Sequence, residues 1–252
     1  MCCFSPITPI GWIARLFPPR VHVADTSIFA RALPGGQQLL AYSMELSVAG
    51  EVAMLLPVPI RPELGEAALE FVSLADHPAF FDALLSLFVV MQPAARSKGG
   101  LSLSISLPQL VVHKVGAFEA SFVPSPRDFG RLDPRFQLPS EIWSELGDYE
   151  DHGFAVFRLE PGRKQRVHPM AFRFASRDPS RLFFPTVHVH DGRVKPTAKF
   201  DHWLYYQGKE GRDQASYFPP RLDYAGMVEP GATVFRRQLL GRLPNQDTWI
   251  EA

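Results

Sequence analysis

Proline and glycine interrupt this chain at short intervals along its whole length. The 252 residues include 24 prolines and 18 glycines, spread evenly rather than clustered. Such scattered breakers favour many short strands and turns over long helices. Strands and helices do not alternate regularly, which argues against a doubly wound sheet. The sequence therefore predicts a mostly β protein of the α+β class, with antiparallel sheets, a sandwich-like core and a few short helices.

Several segments carry specific signals. Residues 27–33 and 38–47 flank a Pro-Gly-Gly turn and predict a hairpin, and the unbroken apolar run in 51–59 predicts a strand buried on both faces. Residues 76–88 predict the clearest helix, capped by Asp76. A shorter helix is predicted over 139–146. Further strands are predicted over 69–74, 101–107, 111–122, 153–159, 167–174, 182–190 and 193–206.

Composition limits the classes of protein. We expect one domain over 1–252, with a flexible excursion at 92–100 and a loop-rich segment at 208–252. Lys+Arg and Asp+Glu are both 26, so the basic footprint of nucleic-acid binding is missing. No apolar run reaches the ~18 residues that span a bilayer, and the first residues lack the order of an export signal. We therefore expect a soluble cytoplasmic protein that binds neither nucleic acid nor membrane.

Three histidines form the most specific chemical pattern. His188 and His190 alternate in an extended segment, so both imidazoles leave the same face of a strand. If Phe174 pairs with Leu182, then His168 lies opposite His188. If Phe174 pairs with Phe184, then His168 lies opposite His190. Three imidazoles suit Zn²⁺, Cu or Fe²⁺ and leave a position open for water or substrate, as in a metal-dependent hydrolase or redox enzyme. The alternative is that these are ordinary surface or hydrogen-bonded histidines.

The turn signal Asp191-Gly192 adds an expectation about register. A two-residue hairpin would place His188 opposite Lys195. The same register sends His202 to the opposite face, ~23 Å further along the strand. His202 is then excluded from the site unless a bulge near Pro196 resets the alternation.

The N-terminus supports a second hypothesis. If Met1 is removed, Cys2 would carry both a thiol and an α-amine that can serve as its base, the logic of N-terminal nucleophile hydrolases. Such enzymes, among them choloylglycine hydrolase relatives and glutamine amidotransferases, use asparagines near the oxyanion, whereas Asn245 is the only asparagine here. Cys3 also stands where the amidotransferases have glycine. Either cysteine could instead be a soft metal ligand beside the histidines.

One further cluster is weaker. Tyr149-Glu-Asp-His152 groups acids with a histidine, and the following Gly153 favours a turn ahead of a strand over an acid–base site.

The chain resembles an uncharacterised bacterial family whose members open with Met-Cys-Cys-Phe-Ser. They share segments like Phe184-Pro-Thr-Val-His-Val-His-Asp-Gly and Phe200-Asp-His-Trp-Leu-Tyr, and the likeness spans most of 1–207. A distant similarity connects 52–59, 115–119 and 149–159 with a bacterial domain family of unknown function. Neither resemblance implies an activity.

The sequence thus supports three hypotheses. The first is a metal-binding protein that uses His168, His188 and His190, with or without enzymatic activity. The second is a hydrolase with Cys2 as its catalytic nucleophile. The third is a non-catalytic module that binds an unknown small molecule or protein partner.

Overall fold

The computed structural model describes residues 2–6, 21–88, 113–115, 118–133, 149–189, 195–209, 211–219 and 224–252. Within them the chain forms one α-helix, α1 (Phe80–Ser86), and two 3₁₀ turns at Pro62–Ala68 and Pro126–Arg131. The strands in these residues are β1 (Cys2–Pro6), β2 (His22–Leu33), β3 (Gln37–Val48), β4 (Val52–Val58), β5 (Leu69–Val72), β6 (His113–Val115), β7 (Phe118–Val123), β8 (Gly153–Leu159), β9 (Gly162–Arg166), β10 (Met170–Ala175), β11 (Arg181–Phe184), β12 (His188–Val189), β13 (Thr197–Gln207), β14 (Gln214–Tyr217), β15 (Thr233–Pro244) and β16 (Thr248–Glu251).

Two large sheets organise these strands. The six-stranded sheet has the order β12-β1-β4-β8-β7-β6, and the eight-stranded sheet runs β14-β15-β13-β2-β3-β10-β5 with β9 beside β3. β11 and β16 form a separate two-stranded ribbon. The mostly β prediction is confirmed. Most pairs are antiparallel, but β1 with β12 and β2 with β13 are parallel.

The main core lies between the two large sheets. Phe172 of β10 faces Phe157 of β8 across the layers, with ring centroids 6.4 Å apart, and Phe71 of β5 packs edge-on against both. Burial of such aromatic area is the main source of stability in a sandwich.

Both sheets are also covered on their outer faces. On the eight-stranded sheet, Phe80 of α1 packs edge-on against Phe29 of β2. On the six-stranded sheet, Phe129 packs against Phe154 of β8. This double coverage explains β4, in which every residue is buried as its unbroken apolar run predicts.

Several predictions about elements hold and others need correction. The hairpin of β2 and β3 is confirmed, with Gly35 and Gly36 at positive φ in its turn. The helix over 76–88 is shorter than predicted, because it begins after Ala79 and Asp76 does not cap it. The elements predicted at 92–100, 101–107 and 139–146 lie outside the described residues.

The segment after residue 208, for which the sequence predicts loops, contains three strands. β15 runs through Gly241, whose φ of +89° lets the strand continue through a conformation that other residues avoid. A glycine that looks like a loop signal is therefore a local distortion inside a 12-residue strand. Among the described helices, none is long and apolar enough to cross a membrane.

Candidate functional site

His188 and His202 meet between the two sheets. β12 lies at one edge of the six-stranded sheet, and β13 lies inside the eight-stranded sheet, so the two side chains approach from opposite layers. Their Nε2 atoms are 3.1 Å apart, and the rings are stacked at 26° with centroids 4.8 Å apart. The Phe200 ring lies 4.6 Å from the ring of His188 and 5.3 Å from that of His202. The two imidazoles therefore make a close polar contact, and the ring of Phe200 packs beside both of them.

The side chain of Asn245 fixes the backbone of His188. The N–H of His188 donates to Asn245 Oδ1 over 2.7 Å, and Asn245 Nδ2 donates back to the His188 carbonyl over 3.0 Å. The second Nδ2 hydrogen reaches the carbonyl of Lys195. The amide of Asn245 thus holds the backbone of His188 as a neighbouring strand would.

His202 is almost completely buried. Only 2% of its surface is exposed, and its Nδ1 lies 3.5 Å from Asp201 Oδ1 without hydrogen-bond geometry. Burial lowers the pKa of His202, Asp201 opposes this, and the charge of the chain's α-amine adds to the lowering. The contact with His202 in turn holds the pKa of Asp201 below its ordinary value. The ring is accordingly neutral at pH 7, beside an ionised carboxylate.

Asp201 is itself held in place. Its Oδ2 accepts the backbone N–H of Asp25 over 3.1 Å. Asp25 has a φ of 47° and lies where the register of β2 shifts between Ala24 and Ser27. A bulge in β2 therefore turns a backbone donor toward the carboxylate beside the buried imidazole.

The predicted exclusion of His202 is wrong, because its premise is wrong. That prediction treats β12 and β13 as neighbours in one hairpin, whereas His188 is in register with Cys2 of β1 and β13 pairs with β2 and β15. Residues 190–194, which include His190 and the predicted turn, lie outside the described part of the chain. Side chains alternate between the two faces of a single sheet. His188 and His202 belong to different sheets that face each other, so this alternation does not keep their imidazoles apart.

The predicted partner strand of His168 is also wrong. Phe174 is in register with Gln38 and Leu69, while Leu182 pairs with Ile250. His168 lies just before β10, where its ring packs 5.8 Å from Phe118 of β7 and its Nδ1 donates to the carbonyl of Pro169. β7 and β12 are separated by four strand spacings, roughly 19 Å at ~4.8 Å each. The structure does not bring His168 to His188.

The structure thus unites one residue of the predicted metal set, His188, with one that the prediction excludes, His202. Within the described residues, no group of three or more His, Cys, Asp or Glu side chains surrounds a common point. Cys2 belongs to the described backbone of β1, beside His188, but its side chain is outside the description. One sequence signal for His202 exists, since it shares its parity in β13 with the buried Phe200, Leu204 and Tyr206.

Asn245 does not supply the N–H donor for an oxyanion that the hydrolase hypothesis requires. Both Nδ2 hydrogens of Asn245 are already used by the carbonyls of His188 and Lys195. The only asparagine of the chain therefore supports backbone structure and has no free N–H for an oxyanion.

A second buried histidine, His152, has a defined protonation state. Arg177 can only donate, so its N–H near His152 Nε2, 3.3 Å away, requires a bare nitrogen there. The Nδ1–H of His152 then donates to Asp151 over 2.9 Å, and Arg177 also pairs with Asp151. The Tyr149 ring covers the imidazole edge-on. This cluster lies in the predicted turn before β8, and its contacts point to a structural role.

We expect the stability of the protein to fall as the pH drops below about 6.5, the ordinary His pKa. Burial lowers the pKa of His152, Arg177 adds to the lowering, and Asp151 and Asp247 oppose it. The unfolded chain therefore binds a proton that the folded chain resists, and stability is lost between the unfolded and the folded pKa. Thermal unfolding between pH 8 and pH 5 measures this loss. His152→Gln should flatten the dependence, and an unchanged slope in that variant would rule His152 out as its source.

Comparisons with solved structures identify the fold. Baculovirus p35 aligns with a TM-score of 0.50 and 12% identity, over 93% of this chain and 98% of that one. The p35 chain in a caspase-8/p35 complex aligns at 0.46 with 10% identity, over 90% and 96%. A mutated baculovirus p35 after caspase cleavage aligns at 0.43 with 10% identity, over 90% and 99%. No protein-family model and no curated protein sequence matches the chain.

Proposed function

We propose that this chain is a protein-binding module whose partner is a cysteine protease of the caspase class. The observation that carries the proposal is the likeness to p35, which extends over 93% of this chain and 98% of p35 and so covers a whole protein rather than a shared motif. The solved complex shows p35 bound to caspase-8. A common architecture with a protease-binding protein favours the third of the sequence-based hypotheses, a non-catalytic module with a protein partner.

The chain offers a surface for such a partner at the edge of the eight-stranded sheet. β14 pairs with β15 only from Thr233 to Arg236. In the part of the chain that the structure describes, no strand pairs with this edge of β15 over 237–244. An open strand edge can accept an extended segment of another protein through main-chain hydrogen bonds.

The side chains along that edge fit an extended apolar segment with acidic flanks. Leu240 is 64% exposed, the highest value among the exposed large apolar residues in the described part of the chain. Arg242 lies on the same face two residues further along β15 and donates its Nε–H to Thr197 Oγ1, an uncharged partner, whereas Arg237, nearer β14, is paired with Asp213. We therefore assign recognition to residues 238–242 of β15, with Leu240 at its centre.

Mixing the purified full-length chain with caspase-8 tests the function. We expect a stoichiometric complex in size-exclusion chromatography and a loss of peptidase activity that grows with the amount of the chain added. Intact-mass analysis of the mixture shows whether the protease also cuts the chain. The proposal fails if neither binding, inhibition nor cleavage occurs with caspase-8 or a panel of other caspases at micromolar concentrations, while p35 inhibits in the same assay.

A pair of variants tests the surface separately. Leu240→Asp should weaken binding about tenfold or more, the effect expected at the centre of an interface. Leu64→Asp is the matched control, because Leu64 is 40% exposed but lies in the Pro62–Ala68 turn, away from β15. Equal affinities of the two variants would contradict the assignment to β15 but not the partner class.

A further inference from the structure

The eight-stranded sheet has a gap beyond the end of β13. β13 ends at Gln207, whereas β2 continues two residues past its last pairing with β13, to Leu33. β15 likewise begins at Thr233, two residues before its first pairing with β13 at Phe235. In the part of the chain that the structure describes, no strand therefore lies between β2 and β15 beyond Gln207.

Gly208 shows where the chain goes after β13. A Cβ atom at this position would lie 3.0 Å from the carbonyl oxygen of Glu251 in β16 and 3.3 Å from Leu182 Cδ1 in β11. Such a close approach to a backbone oxygen leaves no room for a side chain, and the glycine permits it. The chain thus turns against the ribbon of β11 and β16 and does not extend the line of β13.

The vacated position is as wide as one strand. β2 and β15 are both neighbours of β13, so they lie two strand spacings apart, roughly 9.6 Å at ~4.8 Å each. A cleft of about 530 Å³ lies here, and Ala32, Gly208, Ala232 and Phe235 are among its lining residues. Toward the gap, residues 32–33 and 233–234 are in register with no strand of the described chain. Their backbone groups can therefore pair with an extended segment that enters the cleft.

Arg31 brings a fixed positive charge to this cleft. Its Nε and Nη2 donate to the carbonyls of Met227 and Gly226 over 3.1 and 2.7 Å, and its Nη1 donates to Glu229 Oε2 over 3.3 Å. The Arg31 side chain is 14% exposed, whereas that of Glu229 is 65% exposed. Burial lowers the pKa of Arg31, and Glu229 opposes this only in part. The guanidinium charge is thus incompletely compensated, and a guanidinium has five N–H groups, more than these three bonds use.

We propose that the cleft binds the carboxyl terminus of another protein, with the terminal carboxylate on Arg31 and the last two residues extended between β2 and β15. A carboxylate supplies the charge that Arg31 lacks and forms charge-assisted hydrogen bonds with it. The two strand edges supply main-chain hydrogen bonds. Because the peptide ends beside Gln207 and its preceding residues extend past Leu33, it runs antiparallel to β2 and parallel to β15. The alanines of the lining favour small apolar side chains.

The cleft is already formed without a peptide. Gln207 Oε1 accepts the N–H of Glu229 over 2.7 Å, and Gln207 Nε2 donates to the Glu229 carbonyl over 3.0 Å. These bonds hold the segment that carries Glu229 against the end of β13, which reduces the entropy that binding must remove. Leu240, the centre of the surface proposed for the protease, lies about 23 Å from Thr233 along β15 at ~3.3 Å per residue. The two surfaces are therefore separate.

Fluorescence anisotropy of the full-length protein with the labelled tetrapeptide fluorescein-Gly-Ser-Ala-Val tests the cleft. We expect saturable binding of the free acid, and the amidated peptide should bind about tenfold or more weakly, because it lacks the charge that pairs with Arg31. Arg31→Gln should bind the acid and the amide equally weakly. Arg173→Gln is the matched control, since Arg173 belongs to the same sheet and also pairs with an exposed glutamate, and it should bind like the wild type.

Ala215→Trp tests the cleft without removing a charge, and it keeps the test decisive if Arg31→Gln does not fold. Ala215 is exposed and lines the cleft, so an indole there should fill the space at an unchanged unfolding temperature and weaken peptide binding about tenfold.

Three results would overturn the proposal. They are a folded wild type without saturable binding at millimolar peptide, equal binding of the acid and the amide, and displacement of the labelled peptide by acetate as effectively as by unlabelled peptide. The last would make the cleft a site for any carboxylate. Arg31→Gln and Ala215→Trp should inhibit a caspase as the wild type does, so failure of the peptide site is distinguishable from failure of the protease-binding proposal.

Discussion

Replacing Gln38 by methionine is expected to lower the free energy of unfolding by about 2–6 kcal/mol, because two buried backbone groups each lose a partner worth about 1–3 kcal/mol. Gln38 is 1% exposed, and its amide donates to the Phe183 carbonyl over 2.8 Å while accepting the Phe183 N–H over 2.9 Å. Phe183 is 1% exposed, so water cannot replace the lost bonds. Methionine keeps the volume and removes only the polar atoms. Urea unfolding of both proteins measures the difference.

Gln207→Met is the matched control. Gln207 makes the same two-way contact with the backbone of Glu229, over 3.0 and 2.7 Å, but Glu229 is exposed. Water can satisfy the backbone of Glu229 after the substitution, so a loss below about 1.5 kcal/mol is expected there. Equal losses in the two variants would show that burial of the backbone partner does not decide the cost.

Replacing Phe172 by alanine should cost about 3–5 kcal/mol, the usual range for a large aromatic residue in a packed core. The ring is fully buried and contacts Phe71, Phe157 and Phe174, with centroids 6.1–6.4 Å away. Because these neighbours come from three different strands in two sheets, the cavity cannot close by moving one of them. A lower urea midpoint at constant m-value is the expected result.

Arg173→Ala provides the comparison on the same strand. Arg173 faces the other side of β10, is exposed and pairs with the exposed Glu70. Exposed ion pairs contribute little, so a change within about 0.5 kcal/mol is expected. If Phe172→Ala cost no more than Arg173→Ala, the core between the sheets would be looser than its packing indicates.

Local sequence patterns predict most of the strands, because the formation of a strand depends mainly on residues that are close together in the chain. The Pro34-Gly35-Gly36 turn and the apolar run of β4 depend on residues close in the chain, and both are confirmed. Which strands pair with each other cannot be predicted from local patterns. β10 pairs with β3 and β5, although β11 is the next strand in the sequence. The polar loop after Ala175 is compact enough for a hairpin, but the Phe183–Gln38 contact and the pairing with β16 draw β11 away.

The same limit explains the histidines. Sequence alternation correctly marks His188 as part of an extended segment, yet the identity of its neighbour depends on which sheet each strand joins. β12 pairs with β1, where His188 is in register with Cys2, 186 residues earlier in the chain, and β13 belongs to the other sheet. Periodicity within one strand contains no information about which sheet the strand joins, so the sequence predicts the wrong face for His202 and the wrong partner strand for His168.

The parallel pairing of β2 with β13 sets the order in which the molecule can be completed. Trp203 follows Ser27 by 176 residues, and the residues of β2 that end fully buried, Ile28, Phe29 and Ala30, have an open flank until β13 arrives. At roughly 5–20 residues per second, a ribosome needs about ten to thirty-five seconds to supply that strand. A hairpin of β2 and β3 that forms in this interval has an unpaired apolar edge, and such an edge is a site of aggregation while the second half of the chain is still being made.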